Sequence, residues 1–343
     1  MKATSIRGLA AAVALGAVVA SGSTAANAQE PFRLIITEPE TPLVPNSVMI
    51  LAQELGYFEA EGVDVELVRV SDTTLAVAAL QAGEGEMANI GLDAALLLVA
   101  NDVLDIRAVT SPNKFLPFLI ACKDDVASIA DMAGRTFGIN RIGSLDYGLS
   151  RMVMAANGFD AETLEYVPIG FTSARAEALA AGQVDCATMS IGVWLSIPDR
   201  TGLRIVVPVG PYGDAAPVVN KVNVVTADAL ATRRSDVEAV VRALINLSRE
   251  FNSNPQAWVD AMLVSRPDQS VENLNALALA FVGAWSVNGG LNADELAFSV
   301  EQVFEGDDFA GLTAPELSDW VDFTVIDNVI GVGVDPSADA PAR

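Results

Sequence analysis

The stretch that decides the fold runs Val63-Asp64-Val65-Glu66-Leu67-Val68-Arg69-Val70, then Thr74–Ala82, then Gly83, then Met87-Ala88-Asn89-Ile90 and Asp93–Ala100. The first eight residues are rich in β-branched side chains and begin by alternating with Asp64 and Glu66, which predicts a strand. Thr74–Ala82 has helical spacing and ends at a glycine. Met87–Ile90 follows as a short buried strand, and Asp93–Ala100 as an apolar helix. Upstream, Phe32–Thr37 predicts a strand. Pro39, Pro42 and Pro45 make the next segment a loop, and Val48, Leu51, Ala52 and Leu55 space as a helix ending at Gly56. Downstream, Ile106–Thr110 and Phe115–Cys122 are further strands. This βαβαβα order followed by strands implies an α/β fold with a mostly parallel sheet and helices on both faces.

The same grammar then repeats. Ser128-Ile129-Ala130-Asp131 has the form of a capping box, Thr136–Asn140 is a strand, and Ser144–Asn157 is a helix closed by Gly158. Leu164–Ile169, Ser173–Ala181, Val184–Met189 and Arg204–Val209 continue as β, α, β, β. Val222–Thr226 predicts a strand returning from this second unit, and the chain after it is helical. Ser235-Asp236-Val237-Glu238 has the form of another capping box. Val237, Val240, Val241, Leu244 and Ile245 form one apolar stripe, and Leu274, Leu277, Ala278, Phe281, Val282 and Trp285 a second. Thr313-Ala314-Pro315-Glu316 starts a last helix. The expectation is two α/β lobes joined by two crossings, near Leu116–Cys122 and Pro217–Thr226. Lobe 1 takes residues 29–118 and the helical part 219–334, lobe 2 takes 119–218, and 335–343 is a disordered Pro/Ala tail.

Composition narrows the chemistry. The 343 residues are 51% hydrophobic and 19% charged, with 20 Lys+Arg against 44 Asp+Glu and a net charge of −24. The apolar content suffices for a core, and the negative field argues against nucleic acid or an anionic membrane surface as partner. His is absent. That removes His-based acid/base catalysis, Ser-His and Cys-His nucleophiles, and His-ligated metals. Two cysteines, Cys122 and Cys186, are too few for a thiolate zinc site, and Lys2, Lys114, Lys123 and Lys221 are the only lysines. No metal and no cofactor is expected.

Residues 1–28 carry Lys2 and Arg7, an apolar run from Gly8 to about Ala20, and Ala26-Asn27-Ala28 before Gln29. This is the order of a secretory signal peptide, cleaved after Ala28. The run is short for a membrane anchor, and no Cys follows the cleavage point to take a lipid. A soluble periplasmic protein is expected, two charges more negative than the full chain. Cys122 and Cys186 fall in expected strands of the second unit. There they either pair as a disulfide in an oxidising compartment or stay as two buried thiols, the latter being the reading preferred from sequence.

Several motifs, taken in order, resemble a known group. Leu55-Gly56-Tyr57-Phe58 with Glu61-Gly62-Val63 resembles the "GYF…EG(I/V)…V" opening of the SsuA/THI5-like, NMT1-like solute-binding proteins, the sulfonate/taurine/nitrate and thiamine-precursor group of ABC importers. Ala79-Leu80-Gln81-Ala82-Gly83 with Met87-Ala88-Asn89-Ile90-Gly91 resembles its "AL..G..D.A..G" segment, whose usual Asp is Glu86 here or is lost. Ile129–Thr136 resembles "sLaDLkGKkv", Gly143-Ser144 the "GS" helix start, and Ala178–Ala187 "AL..GqVDaa". The resemblance covers Phe32 to about Leu263. It implies the two-lobed type II periplasmic binding protein fold. It also implies a monomeric, non-enzymatic role, capturing a small organic solute and delivering it to ABC permease subunits, without fixing the solute.

In open α/β sheets ligands sit beyond the carboxyl ends of the strands. That selects Thr37, Glu38 and Glu40; Gly91, Leu92 and Asp93; Gly143, Ser144 and Leu145; and Ser190 with Gly192. Gly143-Ser144 is the leading candidate, since the following helix start offers unpaired N–H groups; Ser144 serves equally as an ordinary N-cap. Asp93 is open to the same two readings. If two of these carboxylates face the cleft, a small anion is repelled and a cationic, amine-bearing or neutral ligand fits better. Arg141 and Lys221 are the counterweights. Of the aromatics after strand ends, Tyr147, Phe171, Trp194 and Tyr212, the last two are the preferred ring platforms, and Phe171 is expected in the core.

Two other functions are open to a chain of this kind. One is a ligand receptor for a sensor or a non-ABC system. The other is an enzyme on the same fold. The pyrimidine synthases of this group consume an active-site His, which this chain lacks. Carboxylate-based menaquinone-pathway enzymes act in the cytoplasm, against the signal peptide.

Overall fold

The computed structural model describes Met1, residues 30–114 and residues 116–331. The expected signal peptide over 1–28 and the tail over 335–343 lie outside the described residues, apart from Met1.

Ten strands form two five-stranded sheets among the described residues. They are β1 (Phe32–Ile36), β2 (Val65–Arg69), β3 (Met87–Gly91), β4 (Ile106–Asn113), β5 (Phe118–Lys123), β6 (Thr136–Ile139), β7 (Glu165–Pro168), β8 (Cys186–Ser190), β9 (Leu203–Val207) and β10 (Lys221–Thr226). The first sheet has the order β2-β1-β3-β10-β4 and the second β7-β6-β8-β5-β9. The two orders are the same pattern. In each, one strand runs against its neighbours: β10 is antiparallel to β3 and β4, and β5 to β8 and β9. The β1/β2, β1/β3, β6/β7 and β6/β8 pairs are parallel. Each reversed strand is the first one laid down after the chain crosses from the other sheet.

A matched pair of carboxylates, one in each sheet, clasps neighbouring strands at the ends away from the cleft. Glu86 immediately precedes β3. It accepts the Arg33 backbone N–H of β1 at 2.7 Å and the Arg33 guanidinium at 2.6 Å. Asp185 immediately precedes β8. It accepts the Thr136 N–H of β6 and the Thr136 hydroxyl, both at 3.0 Å, and the Lys123 ammonium at 2.8 Å. So Glu86 holds in lobe 1 the place that Asp185 holds in lobe 2. Burial pushes the Asp185 carboxyl up, but the hydrogen bonds from Lys123 and Thr136 outweigh it and hold it at about 2.

The core falls into three apolar clusters. One lies on one face of lobe 1, around Ile35, Leu80, Ile90, Leu96, Val224 and Trp320. One lies within lobe 2, around Phe137, Leu149, Val153 and Tyr212. The largest runs from the other face of lobe 1 through the C-terminal helices into lobe 2. Trp258, Phe281, Trp285 and Phe251 pack ring against ring there. Ala176, Leu179, Ile191 and Trp194 of lobe 2 join the same cluster. One side of the molecule is therefore an apolar bridge between the lobes.

Four sequence expectations are corrected. Cys122 and Cys186 form a disulfide rather than staying thiols: β5 and β8 are adjacent, and register sets the two residues directly opposite each other, Cα atoms 4.0 Å apart. Ser235–Glu238 is no capping box, because the helix already starts at Arg234 and Glu238 is spent on Arg234 within it. Thr313 does not open the last helix. A short helix starts at Leu317, capped by Glu316 with Asp319, and the last helix is Phe323–Ile330. The stripe through Trp285 outlasts its helix, which ends at Ala280; Phe281 and Trp285 stay buried on irregular backbone and Val282 turns outward. The Ser128–Asp131 capping box and the buried Val237–Ile245 stripe are as expected.

Two outcomes follow. Replacing Cys122 and Cys186 together by Ala opens a loop of 64 residues and should cost ~4 kcal/mol of stability by the loop-entropy relation, measured as a lower denaturation midpoint than the oxidised chain. The Asp185 carboxyl is depressed from 3.8 in the folded chain, so its contribution is complete above the unfolded value. It should disappear as pH falls from about 4 towards 2, and acid unfolding of Asp185→Asn should lack that portion of the loss.

Candidate functional site

The residues that follow β3, β6 and β7 meet a C-terminal segment across a cavity of about 750 Å³. Lobe 2 supplies Asn140–Tyr147 with Arg151, then Gly170, Phe171 and Arg175. Lobe 1 supplies Asp93 and the segment Gln302–Phe309. The walls are built by two long helices. Leu145–Ala156 begins at the cavity, and Ala293–Phe304 ends there.

The start of Leu145–Ala156 shows why this sequence makes a polar corner. Gly143 sits at φ +78°, a left-handed backbone that admits glycine cheaply and turns the strand end into the helix. Ser144 is buried and occupies the N-cap position, yet its side chain accepts no N–H from its own helix. Its hydroxyl lies 2.6 Å from the Arg141 carbonyl and 2.8 Å from Asp146 Oδ1. The centre of the corner is Asp146. Oδ2 accepts the Asn140 N–H at 3.2 Å and the Arg175 guanidinium, and Oδ1 receives Ser144. Arg175 is 2% exposed, and its Nε–H has no partner among the described residues. The helix N-terminus thus already holds an anion, supplied by the chain itself.

On lobe 1 a polar group surrounds Lys221. Its ammonium donates to the Thr37 hydroxyl at 2.6 Å. Burial lowers the Lys221 pKa, while the charges of Glu38 and Asp93 raise it in part. Thr37, Glu38, Asp93 and Lys221 are therefore one electrostatic group, of which Asp93 lines the cavity.

Of the sequence-selected residues, the structure brings Asp93, Gly143, Ser144 and Leu145 to the cavity, along with the counterweight Arg141 and the aromatic Tyr147. Phe171 apart, it does not bring the rest. Thr37 is buried under Lys221, Leu92 is in the lobe 1 core, and Gly91 precedes Asp93 with its N–H on Thr73. Glu38 is exposed, and Glu40 pairs with Arg266. Ser190 caps its own short helix, accepting from Val193, and Gly192 lies inside that helix. The two preferred platforms are core residues. Trp194 packs in the interlobe cluster with Arg200 over its ring, and Tyr212 is fully buried edge-on to Phe118. Phe171 reverses its expectation: it is 83% exposed and lines the cavity. Sequence reading missed Asp146, Arg175 and the acidic segment Glu305–Asp308. The Asp two residues after a helix-starting Ser was the available signal for the first.

Residues 46–257 match the family described as NMT1/THI5 like, well over half of the chain. The chain belongs to the NMT1/THI5-like family. No curated protein is significantly similar in sequence. The fold of this NMT1/THI5-like chain is shared with solved structures of low identity. The putative periplasmic sulfonate-binding protein SsuA from Methylobacillus flagellatus KT superposes with a TM-score of 0.67 at 13% identity, over 88% of this chain and 94% of that one. The periplasmic aliphatic sulphonate binding protein SsuA from Escherichia coli gives 0.64 at 12%, over 86% and 92%. The desulfurization enzyme DSZB gives 0.60 at 16%, over 87% and 99%. At these identities the likeness is one of fold: two α/β lobes of the periplasmic binding protein type.

The corner around Asp146 makes a clear stability prediction. Asp146→Ala leaves the buried Arg175 charge without its partner and should cost roughly 3–5 kcal/mol. Ser144→Ala removes one neutral hydroxyl, whose acceptors at Arg141 and Asp146 keep other donors, and should cost ~1 kcal/mol. Denaturant titration of the two variants should separate them in that order, and equal losses would contradict the central place of Asp146.

Proposed function

We propose that this protein is the periplasmic substrate-binding component of an ABC importer and that it captures a small organic solute between its two lobes. The observation that carries the reading is the cavity between the ends of two sheets of like order, lined from both lobes. Membership of the NMT1/THI5-like family supports it, as do two structural neighbours described as periplasmic sulfonate-binding proteins, one of them of an ABC transporter. The neighbouring desulfurization enzyme means that the fold alone does not exclude catalysis. What weighs against an enzyme here is the side-chain inventory. The sequence has no His, and the cavity's Asp146 is engaged by three donors rather than poised to move a proton.

The chain crosses between lobes twice, between Asn113 and Phe118 and between Val207 and Lys221. Pro117 interrupts the first crossing. The second is pinned where the Val219 N–H donates to Ser299 at 2.9 Å. Helix Val271–Ala280 packs against Ile191–Ser196 on the apolar bridge. Closure would therefore pivot about the bridge, narrowing the side where Gln302–Phe309 faces Asn140–Tyr147. A solute touching both walls binds the closed form more tightly and shifts the population toward it.

A library of sulfonates, amines, pyrimidines, flavins and aromatic acids should contain a compound that stabilises the protein by ~2.7 kcal/mol at one hundred times its Kd. Small-angle scattering with that compound should show a smaller radius of gyration than without it. Turnover of the compound, or an unchanged radius at saturation, would overturn the reading.

A further inference from the structure

We propose that the solute is a small organic cation: a protonated amine on an apolar frame that also carries a hydrogen-bond acceptor. This deepens the binding-protein reading and rests on it. The argument starts from which charges facing the cavity are already answered. Five carboxylates and three guanidiniums line it. On lobe 2, Arg175 is paired with Asp146, and Arg151 with Glu162 while also donating to the Tyr147 hydroxyl. Arg141 is the one lining guanidinium without an ion pair among the described residues. On lobe 1, Asp93 shares the field of Lys221. Glu305, Asp307 and Asp308 are exposed and make no ion pair among the described residues.

Helix ends sharpen the contrast. The positive end of Leu145–Ala156 is met by Asp146, so a ligand anion arriving there would compete with a resident carboxylate already holding Asn140, Ser144 and Arg175. The negative end of Ala293–Phe304 is not met by a cation. It is followed by Glu305, Asp307 and Asp308, the placement a helix C-terminus disfavours on its own account. That wall presents uncompensated negative potential to the cavity. The carboxylates are not gathered for a metal ion: among the described residues no three of them are arranged to ligate one. Leu116, Phe118, Tyr147, Met152, Phe171 and Phe309 supply apolar and aromatic surface, suited to the body of an amine and to cation–π contact with its charge. The buried Nε–H of Arg175, on the same cavity and without a partner, calls for an acceptor on the ligand.

The test compares matched compounds that differ only in their charged end. Phenethylamine and 2-phenylethanesulfonate are titrated calorimetrically into the exported full chain, alongside butylamine and butanesulfonate. The amines should bind, weaken as salt rises, and weaken roughly tenfold in the double variant Asp307→Asn with Asp308→Asn. Both substituted residues are exposed, so the variant should melt where the parent does. Sulfonates binding in preference to the amines would overturn the cationic solute and leave the binding-protein reading standing. Amines bound equally by parent and double variant would overturn the acidic wall as their site. Binding of neither series would overturn the inference, while lobe closure with any other library compound would still uphold the capture function.

Discussion

Each sheet has as its inner reversed strand the one that the chain lays down directly after crossing between the lobes. β5 is laid against β8 and β9 only after the chain has left the first sheet, and β10 enters between β3 and β4 only after it has come back. Both strands stand inside their sheets, not at the edges. The second sheet is made from one continuous run of chain, but the first cannot join β3 to β4 until the chain has returned and laid β10 between them. The residues after β3, β6 and β7 line one cavity between the two sheets so arranged.

The alternation of strands and helices was legible because its periods are local. Apolar spacing and terminal glycines placed every strand and several helices, and the boundary of the Leu145 helix came within a residue, whereas the short helices at Tyr57, Ile191, Val209 and Ala227 and the helices Pro255–Ser265 and Ala293–Phe304 were not anticipated. The site was legible only where it obeyed the rule of strand ends, at Asp93 and Gly143–Leu145. What failed was pairing across the chain. Asp146 and Arg175 are 29 residues apart and meet only in three dimensions. The disulfide needed the register of β5 on β8, which no local pattern reveals. Trp194 and Tyr212 sit in irregular-looking stretches that fold into short helices and bury their rings, while Phe171 is held outward as the residue preceding a helix. Glu305–Asp308 resembled any solvated turn; only its position opposite lobe 2 gives it meaning.

The like placement of Glu86 and Asp185 shows how a recurrent motif can be structural. Both carboxylates secure the start of a central strand to its neighbour, away from the cavity. Their recurrence in the two halves follows from the shared strand order, which asks for the same clasp twice. Functional residues vary between the halves, because the two walls of the cavity do different electrostatic work.

The Cys122–Cys186 bond closes a covalent ring around everything between them. The ring contains β6, β7, the helix Leu145–Ala156 and the buried Arg175, nearly the whole lobe 2 side of the site. A protease that nicks one exposed turn inside it, such as that near Gly158, would leave both pieces tethered. The lobe would therefore survive a single cut as one covalent molecule, with the wall of the cavity still closed through β5 and β8.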